Sequence, residues 1–126
     1  MAGRKSIEAL QFYRKGCNCF QSVVLPFCNE LSLDKMTVIQ AFSGFDHCVL
    51  GDGAVCGALL GALYAVSLKC RSDDPSDSRK KALSVCKELT DAFKRELGDD
   101  ICRGKDIQRC DKAVTVAAIL AEKLPR

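Results

Sequence analysis

Nine cysteines in 126 residues, at positions 17, 19, 28, 48, 56, 70, 86, 102 and 110, are the side chains here that could do chemistry. In a secreted chain they would suggest a disulfide framework, but the number is odd and no export signal accompanies them. In a reducing compartment cysteines are core filler, metal ligands or redox groups. The rest of the inventory is thin. One histidine, His47, stands beside Cys48 in a glycine-punctuated loop over residues 43–53, where it is either a ligand or an ordinary surface residue. There is no Ser-His-Asp arrangement, no phosphate-cradling GxxxxGK and no pair of carboxylates on an apolar face, so classical catalysis has little footing.

Spacing sorts the cysteines. Cys56 belongs to the most apolar segment of the chain, residues 53–68, which holds no charged side chain. Asp52 is the expected N-cap of a helix there, placing Cys56 one turn in, where free backbone N–H groups favour a thiolate. Gly53, Gly57, Gly61 and Ala65 recur every fourth residue, which lines them on one face and lets another backbone approach closely. Asn18-Cys19-Phe20-Gln21 reads as a capping box, so Cys19 also falls in a first turn. Asp106 can cap a terminal helix with Cys110 in its first turn, and Cys102 lies in the turn ahead, with Gly104 between them. Cys19, Cys56, Cys102 and Cys110 therefore share a placement at or beside helix starts. Cys28 and Cys86 follow apolar stripes and read as small hydrophobes, whereas Cys70 falls in a polar, exposed connection. Cys17 and Cys19 form only a CxC, a weak metal signal.

The elements that must position these thiols are all helical. Ser6 can cap a first helix with Ile7, Leu10 and Tyr13 on one face, and Gly16 is its stop. Phe20, Val23, Val24, Phe27 and Leu31 form the apolar face of the second, with a kink expected at Pro26. Asp34 can cap a short helix from Lys35 to about Phe42 whose inward residues are Met36, Ile39 and Phe42. Ser76 or Asp77 opens an amphipathic helix with Ala82, Cys86, Leu89, Phe93 and Leu97 inward and Gly98 past its end. The terminal helix carries Cys110, Ala113, Ala117, Leu120 and Leu124 on one line and ends at Pro125. No segment shows sustained period-two alternation. The expected fold is all-α: a single-domain bundle over residues 1–126, with five or six helices around a buried Gly/Ala-rich central helix, residues 53–68 being the most buried.

Composition agrees with one ordinary domain: 48% hydrophobic, 28% charged, formal charge +3. Lys and Arg are interleaved with Asp and Glu and there is no Trp, which gives nucleic-acid binding little support. The sixteen uncharged residues 53–68 would span about 24 Å as a helix, short of the ~30 Å hydrocarbon core, so no membrane span is expected. No apolar h-region follows the N-terminus, and the expected location is the cytoplasm.

Asn18-Cys19-Phe20-Gln21-Ser22-Val23, Cys56-Gly57-Ala58-Leu59-Leu60-Gly61 and the spaced Cys102 and Cys110 together resemble the C_GCAxxG_C_C family of redox-active proteins, defined by four cysteines and a CGAxxG motif. The likeness runs from about Gly16 to Leu124. It implies a small helical protein of bacteria or archaea, typical of anaerobes, in which Cys19, Cys56, Cys102 and Cys110 form one redox centre. The group it implies there is an iron–sulfur cluster; four cysteines serve 2Fe–2S and 4Fe–4S forms alike, and the 2Fe–2S form is the slightly favoured expectation. The sequence departs from the family at Phe45-Asp46-His47-Cys48, where a glycine-rich loop is usual, and in its short connection from Cys102 to Cys110.

Four thiolates at helix starts suit an iron–sulfur cluster, because amide N–H groups point at the sulfurs. Structural zinc also takes four cysteines, although its folds usually offer close CxxC pairs, absent here. Metal-free dithiol chemistry between distant cysteines stays open. The sequence thus presents an electron-transfer or redox-active protein with a redox protein as partner, against a zinc- or thiol-stabilised interaction module. A homodimer is compatible with either.

Overall fold

The computed structural model describes residues 4–45, 54–102 and 106–126. In chain order these form α1 (Arg4–Arg14), α2 (Cys19–Val24), a 3-10 turn η1 (Leu25–Phe27), α3 (Cys28–Leu31), α4 (Lys35–Ala41), α5 (Gly57–Lys69), α6 (Pro75–Leu97) and α7 (Ile107–Lys123). Because α2, η1 and α3 run on without a break, the described residues make six helical units and no strand, as the helical spacing predicts.

Several expected helix ends hold for the expected reasons. At α2 the Gln21 amide donates to Asn18 Oδ1 at 2.9 Å while the Asn18 amide donates to Gln21 Oε1 at 3.0 Å, which is the reciprocal capping box. Asp34 accepts from the Thr37 amide at 2.9 Å and Asp106 from the Arg109 amide at 3.2 Å. Gly16 and Gly98 end α1 and α6 with φ of 110° and 92°, a left-handed conformation that favours glycine. Pro26 lies in η1, where the helix tightens to accommodate its missing N–H.

Other expectations fail for visible causes. α1 begins at Arg4, so Ser6 lies inside it and is buried, and the inward line runs through Ser6, Ala9 and Tyr13, leaving Ile7 exposed. In α4 it is Val38 that is buried, while Met36 faces solvent. α6 starts earlier than Ser76, with Asp74 accepting from the Asp77 amide at 2.8 Å and Pro75 in the first turn. The central helix starts later than expected, at Gly57 with Cys56 itself as N-cap, and Asp52 lies outside the described residues. Residues 54–56 are used differently: Val55 pairs antiparallel with Ile101, the Cys56 amide donates to Asp100 O at 2.8 Å and the Cys102 amide to Ala54 O at 2.6 Å. Gly53 and Gly104 lie outside the described residues.

α5 packs against α2, α6 and α7, and α1 closes over α2 and α7. Small side chains make this possible: Ala58, Ala62 and Ala65 of α5 share one core with Ala113, Ala117, Ala118 and Ala121 of α7. The longest uninterrupted burial nevertheless belongs to Phe20–Cys28, where every residue is buried, whereas Leu60, Leu63 and Tyr64 of α5 are half-buried. The 20–28 segment is enclosed because α1, α4 and α5 all touch α2 or η1.

The tightest contact is at Gly61. A Cβ there would lie 2.8 Å from the Phe20 carbonyl oxygen and 3.2 Å from Val23 Cβ, and the first of these is backbone that cannot rotate away. At Gly57 the same atom would meet Cys19 Cβ at 3.5 Å and the Phe20 nitrogen at 3.7 Å, ordinary van der Waals distances. Gly61→Ala should therefore cost about 1–3 kcal/mol of stability in urea unfolding, and Gly57→Ala much less. Equal costs would mean that the α2–α5 approach does not limit the packing.

Candidate functional site

The close approach of α2 and α5 sets their N-termini side by side. Cys19 is the first residue of α2 and Cys56 the N-cap of α5, so both thiols leave helix starts at the same end of the pair. The antiparallel pairing of Val55 with Ile101 sets Cys56 opposite Asp100 and Cys102 opposite Ala54, so the two cysteines stand diagonally on one face of the short ladder. Arg109 then ties this segment to the start of α7. Its guanidinium donates to Asp99 Oδ1 at 2.6 Å, Leu97 O at 3.1 Å and Ile101 O at 3.4 Å. Cys110 follows in the first turn of α7.

The four thiols interact. Cys19 is hydrogen-bonded to Cys110 and lies within electrostatic range of Cys56 and Cys102, and Cys56 is within range of Cys102 and Cys110. Tyr13 of α1 is hydrogen-bonded to Cys110 and also senses Cys19. The rings of Phe20, Phe42, Phe45 and Tyr64 pack in tilted and edge-on pairs with centroids 4.5–5.7 Å apart.

Burial decides the protonation of Cys19 and Cys56. Removal from water pushes the Cys19 thiol up from its ordinary range, and the neighbouring Cys110 and Cys56 add to the rise because ionising them would place like charges together. Burial also raises Cys56, and the amides of Leu59 and Ala58 that donate to its sulfur pull it down without overcoming the desolvation. The expected thiolate at this helix start is therefore a thiol in the metal-free, reduced state. Burial likewise raises Tyr13 above the usual phenol range.

Four cysteine sulfurs suit a soft metal or a cluster in donor type. As placed, no set of three or more Cys, His, Asp or Glu among the described residues is close enough to hold a metal ion. The thiols converge on one region and stand apart within it.

The other cysteines separate from this group. Cys17 turns to a second apolar cluster with Phe20, Val24, Leu25, Cys28 and Val38, so the CxC splits. Cys28 is core, as its position on the stripe predicts. Cys70 is a correction: it is buried, because α5 runs to Lys69 and the Cys70 amide still bonds Val66 O at 3.2 Å and Ser67 O at 3.1 Å. This keeps it on the inward line of Leu59, Ala62 and Val66. Cys86 packs against the core, with its Sγ 3.5 Å from Ser67 Oγ. His47 and Cys48 lie outside the described residues.

Two residues of the site were invisible to periodicity. Tyr13 was legible as an inward residue of α1, but nothing in the sequence says that its hydroxyl meets Cys110. Arg109 reads as an ordinary basic residue of a first turn, and only the fold of 97–102 back onto α7 gives it three acceptors.

A family model described as "Putative redox-active protein (C_GCAxxG_C_C)" matches residues 17–124. Among curated proteins and among solved structures nothing matches.

The balance at Cys56 can be read by alkylation of the reduced, metal-free protein. A thiol whose pKa is raised in the folded state reacts as thiolate only at higher pH. The midpoint of its pH–rate profile with iodoacetamide should lie above that of the same cysteine in the urea-unfolded chain. A midpoint below it would show that the Ala58 and Leu59 amides outweigh burial.

Proposed function

This chain belongs to the C_GCAxxG_C_C family of redox-active proteins, and from that premise we propose that Cys19, Cys56, Cys102 and Cys110 form one redox centre that holds an iron–sulfur cluster. The observation that supports this reading is that Gly57 lies against Cys19, that the 54–56 segment pairs with 100–102, and that Arg109 ties this segment to the first turn of α7, so the four cysteines come from one end of the bundle. A cluster, when bound, supplies a site that takes up and releases an electron, with a 2Fe–2S form the first candidate.

The residues of the chain have separate tasks in this proposal. The four cysteines give up their protons on binding, which makes loading depend on pH. The Leu59 and Ala58 amides donate to the Cys56 sulfur, which stabilises negative charge on it. Arg109 holds the Cys102 segment against α7. An electron-transfer protein is the partner class that such a centre requires.

One observation favours a second reading. The Cys19–Cys110 hydrogen bond already brings two thiols together, and a dithiol–disulfide pair could form there without metal.

The test is anaerobic purification followed by iron, sulfide and zinc analysis with a visible spectrum. The cluster reading expects iron, sulfide and colour, loss of most of the iron in Cys56→Ser and Cys19→Ser, and retention in Cys70→Ala. Cys70 serves as the comparison because it ends α5, about 20 Å along the helix from Cys56. A colourless protein with stoichiometric zinc supports the structural module instead. A metal-free protein that oxidises to a Cys19–Cys110 disulfide supports the dithiol reading.

A further inference from the structure

At the other end of α5 lies a second pair of sulfurs that the four-cysteine centre does not use. Cys70 caps the C-terminus of the helix and Cys86 lies in α6, which packs alongside. Ser67 links them. Its Oγ is 3.5 Å from Cys86 Sγ, and Cys70 follows Ser67 by three residues, the spacing at which helix neighbours have Cβ atoms about 5–6 Å apart. Cys70 is within electrostatic range of Cys86 and of the ammonium groups of Lys69 and Lys81. Burial is unequal: Cys70 is 9% exposed, whereas Cys86 is half-buried.

We propose that Cys70 and Cys86 form a second, independent redox site, a dithiol that low-molecular-weight disulfides of the glutathione type convert reversibly to an intramolecular disulfide. Cys86 is the entry thiol. It gives its proton to solvent and its sulfur attacks one sulfur of the oxidant, forming a mixed disulfide and releasing one thiolate, which takes up a proton. Cys70 then loses its proton and attacks Cys86 Sγ, forming the Cys70–Cys86 bond and expelling the second small thiol. Two protein thiols are oxidised, one external disulfide is reduced to two thiols, and the two electrons balance. The Ser67 hydroxyl is placed to donate to the Cys86 sulfur as charge develops on it. Cys70 is the more buried of the two thiols, which sets the order of the steps.

The product would tie the end of α5 to α6 across the polar connection 71–74. The state of this bond then reports the thiol–disulfide poise separately from the centre at the other end of the helix. None of its atoms belongs to the Cys19, Cys56, Cys102 and Cys110 set, so this inference goes beyond the proposed function and stands or falls without it.

The experiment treats the anaerobically purified protein with oxidised glutathione, blocks remaining thiols by alkylation, and maps peptides without reduction. The expected result is a Cys70–Cys86 linked peptide that disappears on addition of a thiol reductant. In Cys70→Ala, Cys86 should stop at the mixed disulfide, with a mass gain of one glutathione. In Cys86→Ser, at a half-buried position that tolerates the change, Cys70 should stay alkylatable. The proposal is overturned if wild-type Cys86 accumulates as the glutathione adduct with Cys70 still reduced. It is equally overturned if both stay reduced while other cysteines oxidise, or if Cys70 is oxidised as fast in Cys86→Ser as in the wild type.

Discussion

The structure depends on one close approach, that of the Gly61 backbone to the carbonyl of Phe20. With no side chain at 61, α5 can lie against α2 at a separation that a Cβ would forbid by several tenths of an ångström. One turn earlier the same crossing sets Gly57 against Cys19, so the two helix starts that carry Cys19 and Cys56 are fixed relative to each other by backbone. The glycine spacing of the CGAxxG motif thus has a mechanical meaning. Its cysteine is placed by its first glycine and held in register by its second.

A second constraint opposes the first. Bringing thiols into a packed bundle removes them from water, and for Cys19 and Cys56 this outweighs what nearby amides offer a negative sulfur. Helix N-termini are often invoked to explain thiolates, yet Cys56 is the N-cap, and its amide is already committed to Asp100 O at 2.8 Å. What remains are the amides of Ala58 and Leu59. A site of this kind holds neutral thiols until something of opposite charge, or another sulfur, compensates for burial. That is why metal loading and disulfide formation are the two chemistries to be separated here.

Much of this was legible in the sequence, for reasons that differ from element to element. Capping by Asn18, Asp34 and Asp106 is local chemistry, complete within four residues, and it was readable. So were the glycine stops at Gly16 and Gly98. The start of α5 was not, because Asp52 offered an equally good local signal while the true boundary is set by pairing with residues 100–102, far along the chain. Ile7 and Met36 failed because short helices place apolar residues on both faces and only the packing chooses between them. Cys70 was misplaced for a related reason: its charged neighbours suggest solvent, but one further turn of helix keeps it on the inward stripe. Of the site itself, the shared placement of Cys19, Cys56, Cys102 and Cys110 at helix starts was visible, and the contacts that Tyr13 and Arg109 add were not.

The two ends of α5 are electrostatically different, and this bears on what sulfur can do at each. The N-terminal end presents donor amides, which suit sulfur that carries charge in its working state, as a metal ligand does. The C-terminal end presents carbonyl oxygens, which oppose an anion, and the disulfide is the neutral form of a sulfur pair. Two cations stand at that end: the Arg71 guanidinium donates to Leu68 O at 3.2 Å, and the Lys69 ammonium donates to Leu124 O at 3.1 Å and to Ala121 O, which directs its charge to the end of α7. Partial burial lowers the Lys69 pKa from its ordinary value. A neutral covalent product therefore fits the Cys70 end of the helix, and an ionic one fits the Cys56 end.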